Sequence, residues 1–282
     1  MIAITGSTGQ LGQLVIKHLL NKMGAENIIA VARTTEKAAD YSARGIEVRL
    51  GDYTDKTSLI NAFSGVEKVL LISSNEIGKR AEQHRNAIEA AKEAGVKLLV
   101  YTSLLHADAN AINLAPEHIA TEAALKNSGV PYIILRNGWY TENYTASIPA
   151  ALANGAFVGA AKDGKIASAA REDYAEAAVA VLTGKGTTGH TYELAGDHAY
   201  TLSDLAAEIS KQSGKEVPYK DLPAGEYAQL LQQVGLPESF ANAIADWDVS
   251  ASKGALYGTE SDLRELIGRP TTPLATAVKA AL

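Results

Sequence analysis

The sequence predicts an α/β protein, a doubly wound parallel sheet with a smaller C-terminal α/β region. Three observations carry this prediction. Short β-branched apolar runs alternate with helical patterns through the first half, a glycine-spaced loop joins the first run to the first helix, and the rhythm loosens after about residue 150. Runs this apolar, bounded by turns and separated by helices, mark strands buried on both faces.

The first run, Ile2 to Thr5, enters the glycine loop. The others are Ile28 to Ala32, Ile46 to Leu50, Val69 to Ser73, Leu98 to Thr102 and Tyr132 to Leu135. Between the first two, Leu11, Leu14, Val15 and Leu19 recur at i, i+3, i+4 and i+8, one apolar face of a helix. Ala87, Ile88, Ala90, Ala91 and Ala94 repeat the theme ahead of the fifth run. Later, Tyr174 to Leu182 reads as a helix, Thr191 to Leu194 as a strand and Ser203 to Lys211 as a helix. Past Pro223 the chain is mostly helical, broken at Gly235, Pro237, Gly254, Gly258, Gly268 and Pro270.

Composition excludes several classes. The chain has 282 residues, 46% of them hydrophobic and 21% charged, ample for a buried core without staples. It has no cysteine, which removes disulfides, thiolate nucleophiles and cysteine-ligated zinc or iron–sulfur clusters. A net charge of −6 without any run of five like charges speaks against a nucleic-acid-binding face. Apolar stretches such as Val69 to Ile72 fall far short of the ~20 residues a membrane helix needs. Strand-like residues from Ile2 leave no room for a signal peptide. The expectation is a cytoplasmic protein with no nucleic-acid or membrane partner; the sequence leaves the oligomeric state open.

The loop itself reads Gly6-x-x-Gly9-x-x-Gly12 and opens the first helix. Gly6 permits a tight turn, Gly9 lets backbone approach a pyrophosphate, and Gly12 lets helix and strand pack closely. A phosphate then meets free N–H groups at a helix N-terminus. In strand–loop–helix context the pattern points to a Rossmann-type dinucleotide site, although its spacing differs from Gly-x-Gly-x-x-Gly. A glycine-rich turn in an unrelated α/β fold is the alternative. The second strand ends at Arg33, and residues 27–35 contain no acid. Arginine offers a planar fork of donors for a 2′-phosphate, which favours NADP over NAD; Glu36, just beyond, argues mildly the other way. Asp52 follows the third strand, where it would either meet adenine or serve as a turn or N-cap aspartate before the next helix. Ser73, Ser74 and Asn75 follow the fourth strand, where ligands of open α/β sheets bind. Residues 1–150 are therefore expected to form the NADP-binding domain and 151–282 a smaller substrate-binding region, partly interleaved with it.

The catalytic position is unusual. None of the twelve tyrosines has a lysine four residues later, so the Tyr-x-x-x-Lys pair of ordinary short-chain dehydrogenases is absent. His118 and Glu122 lie at i, i+4 and read either as a proton-sharing or metal-binding pair or, preferentially, as a helix-surface pair. No His-Glu-x-x-His and no Gly-x-Ser-x-Gly occurs, so neither a metal site nor a serine hydrolase is expected. The loop from Asn137 to Tyr144 combines amides (Asn137, Asn143) with flat aromatics (Trp139, Tyr140, Tyr144), which suits a planar acceptor with carbonyl groups. Packing of these aromatics against the C-terminal region is the alternative, with most weight at Tyr144. Reducing a quinone gives a hydroquinone anion with a phenol-like pKa of about 10, so orientation and hydrogen bonding suffice without a strong acid. A cofactor-binding protein without catalysis fits the same motifs.

The segments MIAITGSTGQLG, Val31-Ala32-Arg33, LLISSNEIG, YTSLLHAD, LRNGWYTENY, KIASAAREDYA and ASKGALYG together resemble the quinone-reducing members of the atypical short-chain dehydrogenase/reductase, NmrA-like, family. The chain is similar, less closely, to the triphenylmethane dye reductases of that family. The resemblance spans essentially the whole chain. It implies two-electron hydride transfer from NADPH to a quinone without a flavin. The alternatives are reduction of dyes or other conjugated acceptors, and a non-enzymatic NADP(H)-sensing role. It implies cofactor contacts at Gly6, Ser7, Thr8, Gly9, Gln10 and Leu11, at Arg33, and at Ser73, Ser74 and Asn75. It adds Asn137, Gly138, Trp139, Tyr140, Thr141 and Glu142, and then Ala169, Ala170, Arg171, Glu172 and Asp173. It assigns no catalytic residue.

Overall fold

The computed structural model describes residues 1–110 and 112–282. Seven parallel strands form the main sheet: β1 (Ile2–Ile4), β2 (Ile28–Ala32), β3 (Glu47–Leu50), β4 (Lys68–Leu71), β5 (Leu98–Leu104), β6 (Tyr132–Asn137) and β8 (Thr191–Leu194). Their order is β3-β2-β1-β4-β5-β6-β8, so the α/β doubly wound reading holds. The chain leaves β1 on one side and returns on the other, which places a switch point between β1 and β4.

Alternation along the strands feeds two apolar layers. Ile2, Ile4, Ile28, Ala30, Leu70 and Val100 face the helices α1 (Gln10–Leu20) and α8 (Arg171–Leu182). Ala3, Ile29, Val31, Val69, Leu71, Leu99 and Tyr101 face α3 (Lys56–Phe63), α4 (Arg80–Glu93) and α5 (Ala115–Asn127). Fully burying such an aliphatic side chain is worth about 1.5–3 kcal/mol, which fixes the register. Leu11, Val15 and Leu19 bury the face of α1 that the periodicity selects.

A second core belongs to the C-terminal part. It gathers α6 (Glu142–Thr145), α7 (Ile148–Asn154), β7 (Phe157–Gly159), α9 (Leu202–Ser213), α11 (Glu238–Ser252) and α13 (Leu274–Ala281) around Tyr144, Ile148, Phe157, Leu205 and Ile209. β7 pairs in parallel with β9 (Tyr219–Asp221), a small sheet that sequence patterning does not predict because three residues carry no visible alternation. α10 (Ala224–Gln233) packs against α11, and α12 (Asp262–Ile267) packs on α8 and β8. Among the described residues no helix is long and apolar enough to cross a membrane.

Three sequence expectations shift. β4 ends at Leu71, so Ile72 and Ser73 lie beyond the strand, where the Ser73 N–H donates to Thr102 Oγ1 at 2.9 Å. α8 starts at Arg171, so Arg171, Glu172 and Asp173 form its first turn. The surface-pair reading of His118 and Glu122 is overturned, because the two are 5% and 3% exposed. α5 lies against both α4 and the sheet and has no freely wet face at these positions. Glu122 instead receives Arg136 Nε and Nη2, both at 2.8 Å, and the Ser103 hydroxyl at 2.6 Å. Arg136 Nη1 donates on to Glu193 (2.7 Å) and Asp108 (2.9 Å), tying α5, β6 and β8 together. His118 Nδ1 sits 2.7 Å from the Tyr101 hydroxyl, and burial pushes its pKa down to about 3, so it stays neutral.

Asp248 of α11 is 3% exposed. Its carboxylate accepts the Ala160 N–H at 2.8 Å and the Tyr144 hydroxyl at 3.3 Å, pinning α11 to the end of β7 and to α6. Burial pushes its pKa up to about 6. A carboxyl with a raised folded pKa stabilises most at low pH and loses that contribution as pH rises through the folded value. Measured against Asp248→Asn in urea melts, the wild type should lose on the order of 1 kcal/mol of relative stability between about pH 5 and about pH 7.5. A pH-independent difference would refute the assignment.

Candidate active site

The crevice opens at the switch point. The loop after β1 turns at Gly6, whose φ of +57° is a left-handed conformation that favours glycine. A Cβ on Gly12 would lie 2.3 Å from the Gly6 carbonyl and 2.8 Å from Ser7 Cα, so only glycine lets α1 start this close to the loop. Ser7 is fully buried; its hydroxyl donates to the Val31 carbonyl at 2.8 Å, and Tyr41 donates to its carbonyl at 2.7 Å. The first-turn N–H groups of Gln10, Leu11 and Gly12 have no intrahelical partner, by helix geometry. The helix dipole adds to their pull on an anion.

A crevice of about 650 Å³ lies in front of this loop. Gly6, Thr8, Gly9, Arg33, Ser73, Ser74 and Asn75 line it, as do Asp52 and Tyr53. Thr34, Lys37 and Glu76 line it too, although sequence reasoning did not select them. Counting cations just past β2 would have found Lys37. Ser7 and Leu11 are buried supports rather than lining, and Gln10 is exposed at the helix start. Asp52 is not the cap of the next helix: Asp55 is, accepting from Thr57 and Ser58. The Asp52 carboxylate accepts the Thr54 N–H (2.8 Å) and hydroxyl (2.7 Å), and these bonds help hold it below the usual carboxyl range. Glu36 folds onto its own turn, with its carboxyl lowered by its own backbone and by Thr34.

Across the sheet edge, residues 137–142 and 169–173 come together through a bridge between Tyr140 and Ala169. Asn137 is 5% exposed; its Nδ2 reaches the Tyr140 hydroxyl at 3.4 Å, and its Oδ1 is buried without a partner. Gly138 has no room for a Cβ, with the Tyr174 hydroxyl 2.8 Å away. Tyr140 packs edge-on against Tyr174 at 5.2 Å, and the Arg171 guanidinium stands 4.6 Å from its ring centroid. Glu142 accepts the Arg171 N–H with both oxygens, at 2.9 and 3.0 Å. Thr141, Ser168 and Tyr200 form a buried hydroxyl chain. Trp139 packs edge-on against Trp247 of α11 at 5.5 Å, and Tyr144 bonds Asp248, so both face the C-terminal core. Two acids of the second segment are committed elsewhere. Glu172 binds Lys17 (2.9 Å) and His18 (2.8 Å) of α1, while Asp173 binds Arg269 (2.7 Å) and Thr272.

These residues fit a dinucleotide with an extra phosphate. The glycine cradle would hold the pyrophosphate, and Arg33 and Lys37 would supply cations at one end of the crevice. Among the described residues, no cluster of three or more histidines and carboxylates is placed to hold a metal.

Known proteins resemble this chain in sequence and fold. Residues 6–185 match the family described as NAD(P)H-binding. The chain is 56% identical over 278 residues to quinone oxidoreductase 2 of Escherichia coli K12, covering 99% of this chain and 97% of that protein. The crystal structure of the E. coli NADPH-dependent quinone oxidoreductase in complex with NADPH superposes with a TM-score of 0.96, covering 99% of each chain. The Citrobacter sp. triphenylmethane reductase complexed with NADP(H) is 41% identical, with a TM-score of 0.97 and full coverage of both chains. NmrA, a negative transcriptional regulator crystallised with NAD, shares the fold alone, at 16% identity, TM-score 0.79 and coverage of 99% and 94%.

Gly12→Ala should abolish tight dinucleotide binding, read by nicotinamide fluorescence titration, while circular dichroism keeps its α/β signature. Unchanged binding would show that α1 can move away from the loop at no cost.

Proposed function

Since the chain belongs to the NAD(P)H-binding, NmrA-like family, we propose that it is an NADPH-dependent, cytoplasmic quinone reductase. The observation that carries this reading is its likeness, over nearly the whole length, to quinone oxidoreductase 2, joined to a crevice whose cationic end is Arg33. The bound cofactor would supply a hydride from its nicotinamide ring directly to the acceptor, without a flavin. Residues 6–12 would hold the pyrophosphate and Arg33 the 2′-phosphate. The loop 73–75 and the paired segments 137–142 and 169–173 would flank the nicotinamide end. Asp173 and Glu172 would contribute through backbone and helix placement, because their carboxylates are already bound. Residues 1–150 would thus carry most cofactor contacts. Residues 151–282 would supply the acceptor wall, with Trp247 backing Trp139.

The chain needs no strong acid for this work. A hydroquinone anion leaves with a phenol-like pKa of about 10, so Asn137 Nδ2 and the Tyr140 hydroxyl need only orient the acceptor and share its charge. Burial raises the Tyr140 pKa, so its hydroxyl stays protonated and able to donate.

The likeness to triphenylmethane reductase favours one second reading, a preference for dyes or other conjugated acceptors. One plate separates the readings: NADPH and NADH oxidation with benzoquinone, naphthoquinone, a triphenylmethane dye and no acceptor. A quinone reductase turns over the quinones, a dye specialist leaves them nearly untouched, and a cofactor sensor oxidises nothing. On the same plate, Arg33→Ala should raise the apparent KM for NADPH by about 10- to 100-fold, the scale of a lost charged hydrogen-bond pair, and barely move that for NADH. Equal effects on both cofactors would remove the 2′-phosphate role.

A further inference from the structure

The crevice holds a charge arrangement that the reading above does not use. Arg33 follows β2 and Glu76 stands in the loop after β4, so the two meet across the carboxyl end of β1. Arg33 Nη1 lies 3.6 Å from Glu76 Oε1, and both residues line the crevice. The other Glu76 oxygen is 3.5 Å from Lys79 Nζ. The loop that carries Glu76 is held in place. The Glu76 N–H donates to Ser74 Oγ at 3.1 Å, and Arg80 Nε donates to the Ser74 carbonyl at 2.6 Å. Asp52 also feels the Arg33 charge, but its carboxylate is fixed by Thr54. Among the described residues the Glu76 carboxylate has two ion pairs at the exposed side, which are individually weak, so it can leave.

We propose that Glu76 sets the preference between the two nicotinamide cofactors: it occupies the Arg33 guanidinium as a stand-in anion and must release it before a 2′-phosphate can bind. This rests on the NADPH reading above and extends it to a residue outside that set of contacts. A 2′-phosphate arrives as a second anion beside Glu76 and competes for the same donors, so part of its gain is spent displacing the carboxylate. A 2′-hydroxyl makes no such demand, and the Arg33–Glu76 pair survives beneath it. Glu76 therefore penalises NADPH alone and keeps NADH usable. Acting through Arg33, it is a positioning residue.

The test is calorimetric and needs no turnover. Binding of 2′,5′-ADP and of 5′-AMP is measured on the wild-type protein, Glu76→Gln, Arg33→Ala and the double variant. Glu76→Gln should tighten 2′,5′-ADP by about three- to fivefold, the scale of one exposed ion pair released, and leave 5′-AMP unchanged. The gain should shrink at high salt and in the Arg33→Ala background. Equal tightening of both ligands, or an undiminished gain without Arg33, overturns the proposal. If the wild type prefers 2′,5′-ADP but Glu76→Gln changes nothing, the proposal fails and the NADPH reading stands. If the wild type shows no preference for 2′,5′-ADP, both fall together.

Discussion

The position of β1 between β2 and β4 is the constraint on which the site depends. Chain excursions to opposite sides of one strand make the following loops diverge, and the gap between them becomes the crevice. β1 has only three residues, so its placement rests on register: Ile2 faces one apolar layer, Ala3 the other, Ile4 the first again. A slip by one residue would exchange the layers and forfeit several buried aliphatic contacts. The same register delivers Gly6 to the turn and Gly12 to its close contact, so the anion-binding end of α1 is a by-product of sheet packing.

Around that point the polar residues divide by commitment. Arg136, Glu122, Glu193, Asp173 and Arg269 are spent on one another, and what they hold is the fold. Arg33 keeps only a loose partner, and Asn137 Oδ1 has none. A buried acceptor without a donor costs about 1–3 kcal/mol, a cost the fold carries at Asn137. The absence of a Tyr-x-x-x-Lys pair fits this division. The chain arranges donors around its crevice.

Much of this was legible in the sequence, for physical reasons. Strands buried on both faces leave uninterrupted apolar runs, and β2, β4, β5 and β6 fall within a few residues of them. Glycine spacing reports backbone approach directly, so Gly6 and Gly12 were readable as a turn and a contact. Partnerships across long separations were not readable. Arg136 and Glu193 lie 57 positions apart, and nothing local in either marks the other. His118 and Glu122 misled because helical spacing says which residues share a face and says nothing of what covers it. The pairing of 137–142 with 169–173 lies in no local pattern either. It rests on the bridge between residues 140 and 169 and on the bonds of Glu142 to the Arg171 N–H, none of which a local pattern marks.

α8 joins two places that would otherwise be independent. Its first residue bears on Tyr140 and Glu142, and its second grips Lys17 and His18 on α1, the helix that opens from the glycine loop. On the proposed reading, replacing Tyr140 would therefore reach, through α8 and Glu172, the helix that would face the pyrophosphate. From the C-terminal core, Trp247 packs against Trp139, and Phe240 stands 6.0 Å from Trp247 on the same helix. On the proposed reading, changes from the α11 side would reach Trp139 without passing through the Glu172 contacts to α1, which gives one scaffold a route to vary its acceptor.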